Sequence, residues 1–359
     1  MYKAIRPLLF KLPTEVAHRI TAFVGDQVQR SPIVAPLVKK AYYFDDSRLR
    51  VQIHGLTFRN PVGLAAGFDK NAHLVDLFYL LGFGFTEVGS VTSLPHDGNP
   101  KPRLFRLLED NGLINRMGLN SEGVEQVKRN LRRVKTRYSL GINITKSNKP
   151  EIYGDEAIED ICDAFKGIVP EADYITLNIS CPNTPDGRTF EDPQALKELL
   201  SAIREKRELS LPIFIKVSPD LTQGQLEGIV RISLEYSMNG FVATNTSSKR
   251  ENLRTSQEEL TRIGKGGLSG PPIRDKSTKV VRTIYKLTRG RVPIIGCGGI
   301  STAEDAFEKI KAGASAVQLF TGLVYEGPGI ATRINQGLIE LLNRERIVNL
   351  HEAVGIESK

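Results

Sequence analysis

The sequence predicts an α/β chain that closes into a (β/α)8 TIM barrel, preceded by a small helical extension. Three observations lead there. Short apolar runs recur eight times between residues 61 and 320, and charged amphipathic stretches separate them. Runs that are apolar throughout, rather than alternating, belong to strands buried on both faces of a parallel sheet. None of the eight is rich in charge, as an exposed edge strand would be, so closure is expected. An open doubly wound sheet is the structural alternative.

The elements follow in order. In residues 1–40, Ile5, Leu8, Leu9 and Leu12 fall at helical spacing, and Val16, Ile20, Phe23 and Val24 repeat it after Pro13. Two amphipathic helices are expected, ending near Pro32 and Pro36. Their polar faces are basic: Lys3, Arg6, Lys11, Arg19, Arg30, Lys39 and Lys40 stand against only Glu15 and Asp26. Such a segment fits an acidic partner, either nucleic acid or an anionic membrane on which the apolar face lies down. The alternative is packing against the main domain. Strands are expected at 61–66, 84–89, 139–144, 174–179, 212–217, 240–244, 293–297 and 315–320. Helices are expected at 72–81, 121–135, 194–208, 222–236 and 302–312. The chain thus divides into the extension (1–40), the barrel (41–345) and a C-terminal tail (346–359).

Composition excludes several classes. Of 359 residues 25% are charged, with 15 Phe and 10 Tyr, which is ordinary for a folded chain and unlike a disordered one. No apolar run reaches the ~18 residues of a spanning helix, and no secretory signal is visible. Cys162, Cys181 and Cys297 form no pair with metal or disulfide spacing, which fits a reducing compartment. The five His are scattered, so no metal site is expected. The net charge of +8 admits a nucleic-acid-binding protein, but no motif for it is present.

In a barrel of this kind the chemistry sits at the C-terminal strand ends. Those positions read Asp69-Lys70, Gly89-Ser90, Asn143, Asn178 with Ser180-Cys181, Lys216, Thr244-Asn245-Thr246, Gly298-Gly299 and Phe320-Thr321. The glycines after the last two runs, with Gly266-Gly267-Leu268-Ser269-Gly270 upstream, would let backbone N–H groups approach a phosphate. Each feature has a plainer alternative: turn glycines, a strand-end Lys reaching for water, a Cys that merely packs.

Residues 51–330 resemble the dihydroorotate dehydrogenase family. The resemblance rests on A-A-G-F-D-K-N (65–71), G-N-P-K-P-R-L-F-R (98–106), N-R-M-G-L-N (115–120), N-I-S-C-P-N-T-P (178–185), G-G-L-S-G (266–270), I-I-G-C-G-G-I (294–300) and G-A-S-A-V-Q-L (313–319). The extension resembles that of the membrane-associated, quinone-reducing class 2 branch, where it forms a quinone tunnel.

The resemblance implies oxidation of dihydroorotate to orotate in pyrimidine synthesis, with FMN as cofactor and a membrane quinone as acceptor. Cys181 takes the position of the base that removes the C5 proton. Class 2 enzymes usually carry Ser there and class 1 enzymes Cys. A thiol is the stronger acid, so activity is expected to persist to lower pH than in a Ser enzyme. The implied substrate site comprises Lys70, Asn115, Asn178, Asn183, Asn245 and Thr246, with backbone of Arg116, Met117, Gly118 and Leu119. Leu119 replaces the family's usual aromatic residue. The implied flavin site comprises Ala66, Gly67, Phe68, Asp69, Lys70, Ser90, Asn143, Asn178, Thr244, Gly270, Gly299, Phe320 and Thr321, with Lys216 at the flavin N1/O2 edge. The resemblance further implies a monomer held peripherally on the cytoplasmic face of a bacterial inner membrane. A soluble class 1 enzyme, using fumarate or a partner subunit, is the alternative that Cys181 raises.

Overall fold

The computed structural model describes residues 2–135, 138–180, 189–206 and 211–358. The chain opens with three helices, α1 (Tyr2–Lys11), α2 (Thr14–Arg30) and α3 (Val34–Tyr42), where two were expected. Pro36 lies in the first turn of α3, where a backbone N–H has no helical partner to lose, so it does not end the helix. A hairpin follows, β1 (Val51–Ile53) and β2 (Leu56–Phe58). Next come β3 (Val62–Leu64), α4 (Val75–Leu80) and β4 (Phe85–Val91), then the antiparallel pair β5 (Leu104–Leu107) and β6 (Gly112–Asn115) and α5 (Val124–Leu131). Strand and helix then alternate through β7 (Leu140–Ile144), α6 (Gly154–Ile168), β8 (Tyr174–Asn178), α7 (Pro193–Glu205), β9 (Ile213–Val217), α8 (Gln223–Glu235) and β10 (Gly240–Ala243). After α9 (Gln257–Ile263), β11 (Gly267–Ser269) and α10 (Arg274–Thr288) come β12 (Ile294–Cys297), α11 (Ala303–Lys311) and β13 (Ala316–Leu319). The helices α12 (Thr321–Glu326), α13 (Ile330–Glu345) and α14 (Leu350–Ala353) complete the chain.

Strands β3, β4, β7, β8, β9, β10, β12 and β13 pair in parallel in that order, and β13 closes on β3. They coincide with the eight apolar runs, and the fold is the expected TIM barrel. The helix expected at 72–81 is shorter, because Ala72 adopts a left-handed φ of 61° that a helix cannot contain. The pairing of β5, β6 and β11 into a separate antiparallel sheet has no counterpart in the sequence reading. Strands of three or four residues are too short to show a period. This sheet grows from the loops after β4 and β10, on the side of the barrel that bears the site.

The opposite end is filled by aromatic rings. Phe85, Tyr174 and Phe214 occupy the volumes that side chains at Gly63, Gly141 and Gly240 would need. Large residues on β4, β8 and β9 fill the space left by glycines on the neighbouring β3, β7 and β10, so the barrel is a packed core and not a pore. Phe58 of the hairpin stacks on Phe85 at 4.1 Å between centroids and plugs that end. Residues 346–358 fold back on the barrel wall: Leu350 and Ala353 are buried, and the Gly355 and Glu357 N–H groups donate to carbonyls of Ile310 and Lys311.

Candidate active site

The site begins with an irregularity in β4. Its pairing with β7 runs from Val88 opposite Ile142 to Val91 opposite Ile144, so β4 carries one extra residue around Gly89-Ser90. A bulge of this kind re-aims a side chain. Gly89 has φ 119°, and a Cβ there would lie 2.3 Å from the Asn143 carbonyl oxygen, so no other residue fits. Ser90 Oγ consequently donates to Asn143 Oδ1 at 2.5 Å. From Ser90 the network crosses the mouth: Asn178 Nδ2 donates to Ser90 Oγ (3.2 Å), and Asn245 Nδ2 donates to Asn178 Oδ1 (3.3 Å) and Ser180 Oγ (2.7 Å). Four expected residues on four different strand ends are thus one continuous chain. Thr244 adjoins it, its N–H donating to the Cys297 carbonyl at 2.7 Å.

Beneath this chain lies a residue the sequence reading passed over. Glu87 is fully buried inside the barrel. It accepts hydrogen bonds from Asn143 Nδ2 (2.9 Å), Thr176 Oγ1 (3.0 Å), Gln318 Nε2 (2.9 Å) and the Tyr174 hydroxyl (3.4 Å). Lys216 Nζ lies 3.9 Å from the same carboxylate, and its side chain is 6% exposed. Lys216 is therefore no strand-end lysine reaching for water. A buried ammonium needs such a counter-charge. The sequence signal was there: a single Glu within the apolar run F-T-E-V-G-S-V, where a surface reading is impossible.

The loop after β3 divides its labour. Asp69 is buried, and its carboxylate accepts from the N–H groups of His73 (2.9 Å) and Leu74 (2.7 Å); burial pushes its carboxyl above the usual range. Phe68 packs edge-on against Phe78, Phe320 and the ring of His18. Both side chains hold the loop in place. His18 belongs to α2, and burial beside Lys70 pushes its imidazole below the usual value. Glu15 of α2 pairs with Arg103 at 3.2 Å in a nearly buried bridge, and Arg106 donates to the Phe10 and Leu12 carbonyls. The extension is thereby locked against the barrel mouth.

At the other end of the mouth, Gly298 and Gly299 follow β12 with φ 120° and 73°. Among the described residues, the N–H groups of Gly298, Gly299 and Thr321 meet no protein acceptor. Thr321 Oγ1 pairs with Ser269 Oγ at 2.9 Å, next to Gly270. Backbone donors left open between glycines are the donor set a phosphate requires. Cys297 packs against the core but is only half-buried, because β12 ends at the mouth.

On the remaining side, Asn115 ends β6 and donates to the Gly267 carbonyl at 3.3 Å, and a Cβ at Gly267 would collide with Thr246. The strand β11 thus brings Asn115 and Thr246 together. The turn Met117-Gly118-Leu119 is held by its carbonyls: Met117 accepts from Asn99 N–H and Gly118 from Asn148 Nδ2. Leu119 has a left-handed φ of 52°. The Arg116 guanidinium donates to the carbonyls of Ile263, Lys265 and Pro102 and stacks over Phe105 at 4.7 Å. Cys181 and Asn183 lie outside the described residues.

A family model described as dihydroorotate dehydrogenase matches residues 48–342. The chain belongs to the dihydroorotate dehydrogenase family. It is 45% identical to a dihydroorotate dehydrogenase (quinone) of Roseiflexus castenholzii, covering 100% of this chain and 97% of the relative. It is 43% identical to the protein of that name from Natronomonas pharaonis, covering 99% of each. Among solved structures, that of the Eimeria tenella enzyme in complex with ferulenol superposes with a TM-score of 0.84 at 36% identity, covering 96% of both chains. The match begins at residue 48, so the barrel carries the family, while the full-length relatives also span the extension.

Proposed function

We propose that this chain is a quinone-dependent dihydroorotate dehydrogenase that binds FMN and oxidises (S)-dihydroorotate to orotate. The observation that carries the reading is the Ser90–Asn143–Asn178–Asn245 chain set over the Glu87–Lys216 pair, in a barrel of this family. The residues present fit a flavin mononucleotide. Gly298, Gly299 and Thr321 offer open N–H groups to a phosphate, and Ser90, Asn143 and Thr244 offer hydroxyls and amides to a flat, polar-edged ring. Ala66, Gly67, Asn178, Gly270 and Phe320 complete that surface. When bound, the flavin supplies the hydride acceptor for substrate C6.

The chain's own residues do the rest. Lys216 holds a buried positive charge where negative charge develops, and Glu87 keeps that ammonium in place. Asn178 and Asn245, with Asn115, Thr246, Lys70 and Asn183, bind the anionic, amide-bearing substrate ring. Each amide both donates and accepts, which matches an imide edge. Asn178 and Asn245 are already fixed by the hydrogen bond between them and by those to Ser90 and Ser180, so binding does not have to order them. Cys181 takes the C5 proton as general base.

The extension supports a peripheral membrane attachment and a quinone acceptor. No helix is long and apolar enough to cross a membrane. Yet the extension exposes Ile5 and Leu8 on α1, Ile20, Phe23 and Val24 on α2, Ile33 before α3 and Leu37 on it, among basic residues. An apolar face rimmed by Lys and Arg lies in an anionic bilayer surface. On the barrel-facing side of α2, His18 packs against Phe68 of the loop after β3. From the family resemblance alone we infer a monomer on the cytoplasmic face of a bacterial inner membrane.

Anaerobic addition of dihydroorotate to the purified chain tests the reading. The visible absorption of its flavin should bleach, and a quinone should restore it faster than fumarate does. A yellow protein that fails to bleach overturns the substrate; fumarate as the better oxidant overturns the acceptor.

A further inference from the structure

Lys309, on the inner face of α11, is fully buried, and no carboxylate comes within 4 Å of its ammonium among the described residues. Its stem lies along β12 where Gly296 leaves room: a Cβ there would meet Lys309 Cδ at 2.6 Å. Its Nζ donates to Ser277 Oγ at 2.6 Å and Thr278 Oγ1 at 2.9 Å, both on α10. The single Ser277 Oγ proton is shared between the carbonyls of Arg274 (2.9 Å) and Gly298 (3.1 Å). An ammonium only donates, so while Lys309 is charged Ser277 must accept from it and turn its own proton toward those carbonyls. The line from Lys309 thus ends on the glycine loop whose N–H groups stand open. A Cβ at Gly298 would lie 2.9 Å from Ser277 Oγ, so the loop rests directly on this serine.

A buried charge without a counter-charge is expensive to keep, and a Met of similar length would fill the same space. Burial does work against it, holding the ammonium down to about 8; Glu308, Asp305 and Cys297 oppose that and Arg274 reinforces it. A phosphate held by the Gly298-Gly299 loop would supply the missing counter-charge. We propose that Lys309 is a positioning residue for the cofactor phosphate, acting through Ser277 to fix the Gly298-Gly299 loop and supplying the buried positive charge that the phosphate dianion neutralises. The proposal rests on the FMN reading above, with the phosphate at Gly298, Gly299 and Thr321.

The test compares two flavins that differ only in the phosphate. The full-length chain and its Lys309→Met variant are loaded with FMN or riboflavin, and release on dilution is followed by the return of flavin fluorescence. FMN release should quicken about tenfold in the variant, the equivalent of one unit of coupled pKa, with riboflavin release unchanged. The flavin-free variant should be at least as heat-stable as the parent chain, because the substitution removes an unpaired buried charge. If both flavins leave faster and the flavin-free variant melts earlier, Lys309 is a packing residue and the proposal is wrong. Should Lys309→Met fail to fold, Ser277→Ala gives the same comparison; unchanged FMN release in it overturns the proposal. A parent chain that holds riboflavin as tightly as FMN instead refutes the phosphate site itself.

Discussion

Glu87→Gln changes no shape and removes one charge. At 3.9 Å from Lys216 Nζ and an effective dielectric of about 20, the lost attraction is about 4 kcal/mol. The new amide nitrogen must also face a donor, since Asn143, Gln318 and Thr176 all direct hydrogens at this carboxylate. Breaking one side of a buried pair costs about 3–5 kcal/mol, which for a chain of this size is a fall in Tm on the order of 10 °C. The chain has no Trp, so calorimetry or far-ultraviolet circular dichroism is the assay. A second arm adds Lys216→Met. With both charges gone neither is stranded, so the double variant should recover part of the loss, and the two single effects should not add. A Tm for Glu87→Gln within about 2 °C of the parent, or strict additivity, would refute the argument that this pair organises the site.

Glu191 lies beside Ser218 and Asp220, and burial, with Asp220 adding to it, raises its carboxyl to about 7. The folded state then holds this proton more tightly than the unfolded one. Its contribution to stability is present at acid pH and lost as pH rises from about 4.5 to about 7. Glu191→Gln should therefore gain on the parent across that window in melting experiments; a constant difference would count against it. Phe23 is 66% exposed on α2, so Phe23→Glu should weaken sedimentation with anionic vesicles at least tenfold, the equivalent of roughly 1.5 kcal/mol or more of lost burial. Binding as strong as the parent's would place the membrane face elsewhere. Cys181→Ser should move the acid limb of the activity profile to higher pH, because the hydroxyl is the weaker acid. An unmoved limb would remove Cys181 from the role of base.

The sequence by itself determined the barrel, its eight strands and the ends at which polar residues cluster, because each strand is buried on both faces and announces itself as an apolar run. It also marked Ser90, Asn143, Asn178, Asn245 and Lys216 through their positions just past or within those runs. Their joining into one network was decided elsewhere. The bulge at Gly89-Ser90 aims Ser90 at Asn143, yet pairing register is a property of two strands and cannot be read along one. Glu87 stands out in the sequence as the one charge of its apolar run, but its partners come from β7, β8, β9 and β13 at once, and no single run names them. Lys309 likewise lies on the amphipathic pattern of a surface helix, and only the packing of α11 on α10 and β12 buries it. Periodicity along a chain reports which face is covered. Which charges then meet in the covered space depends on contacts between residues far apart in sequence, and only closure of the barrel creates them.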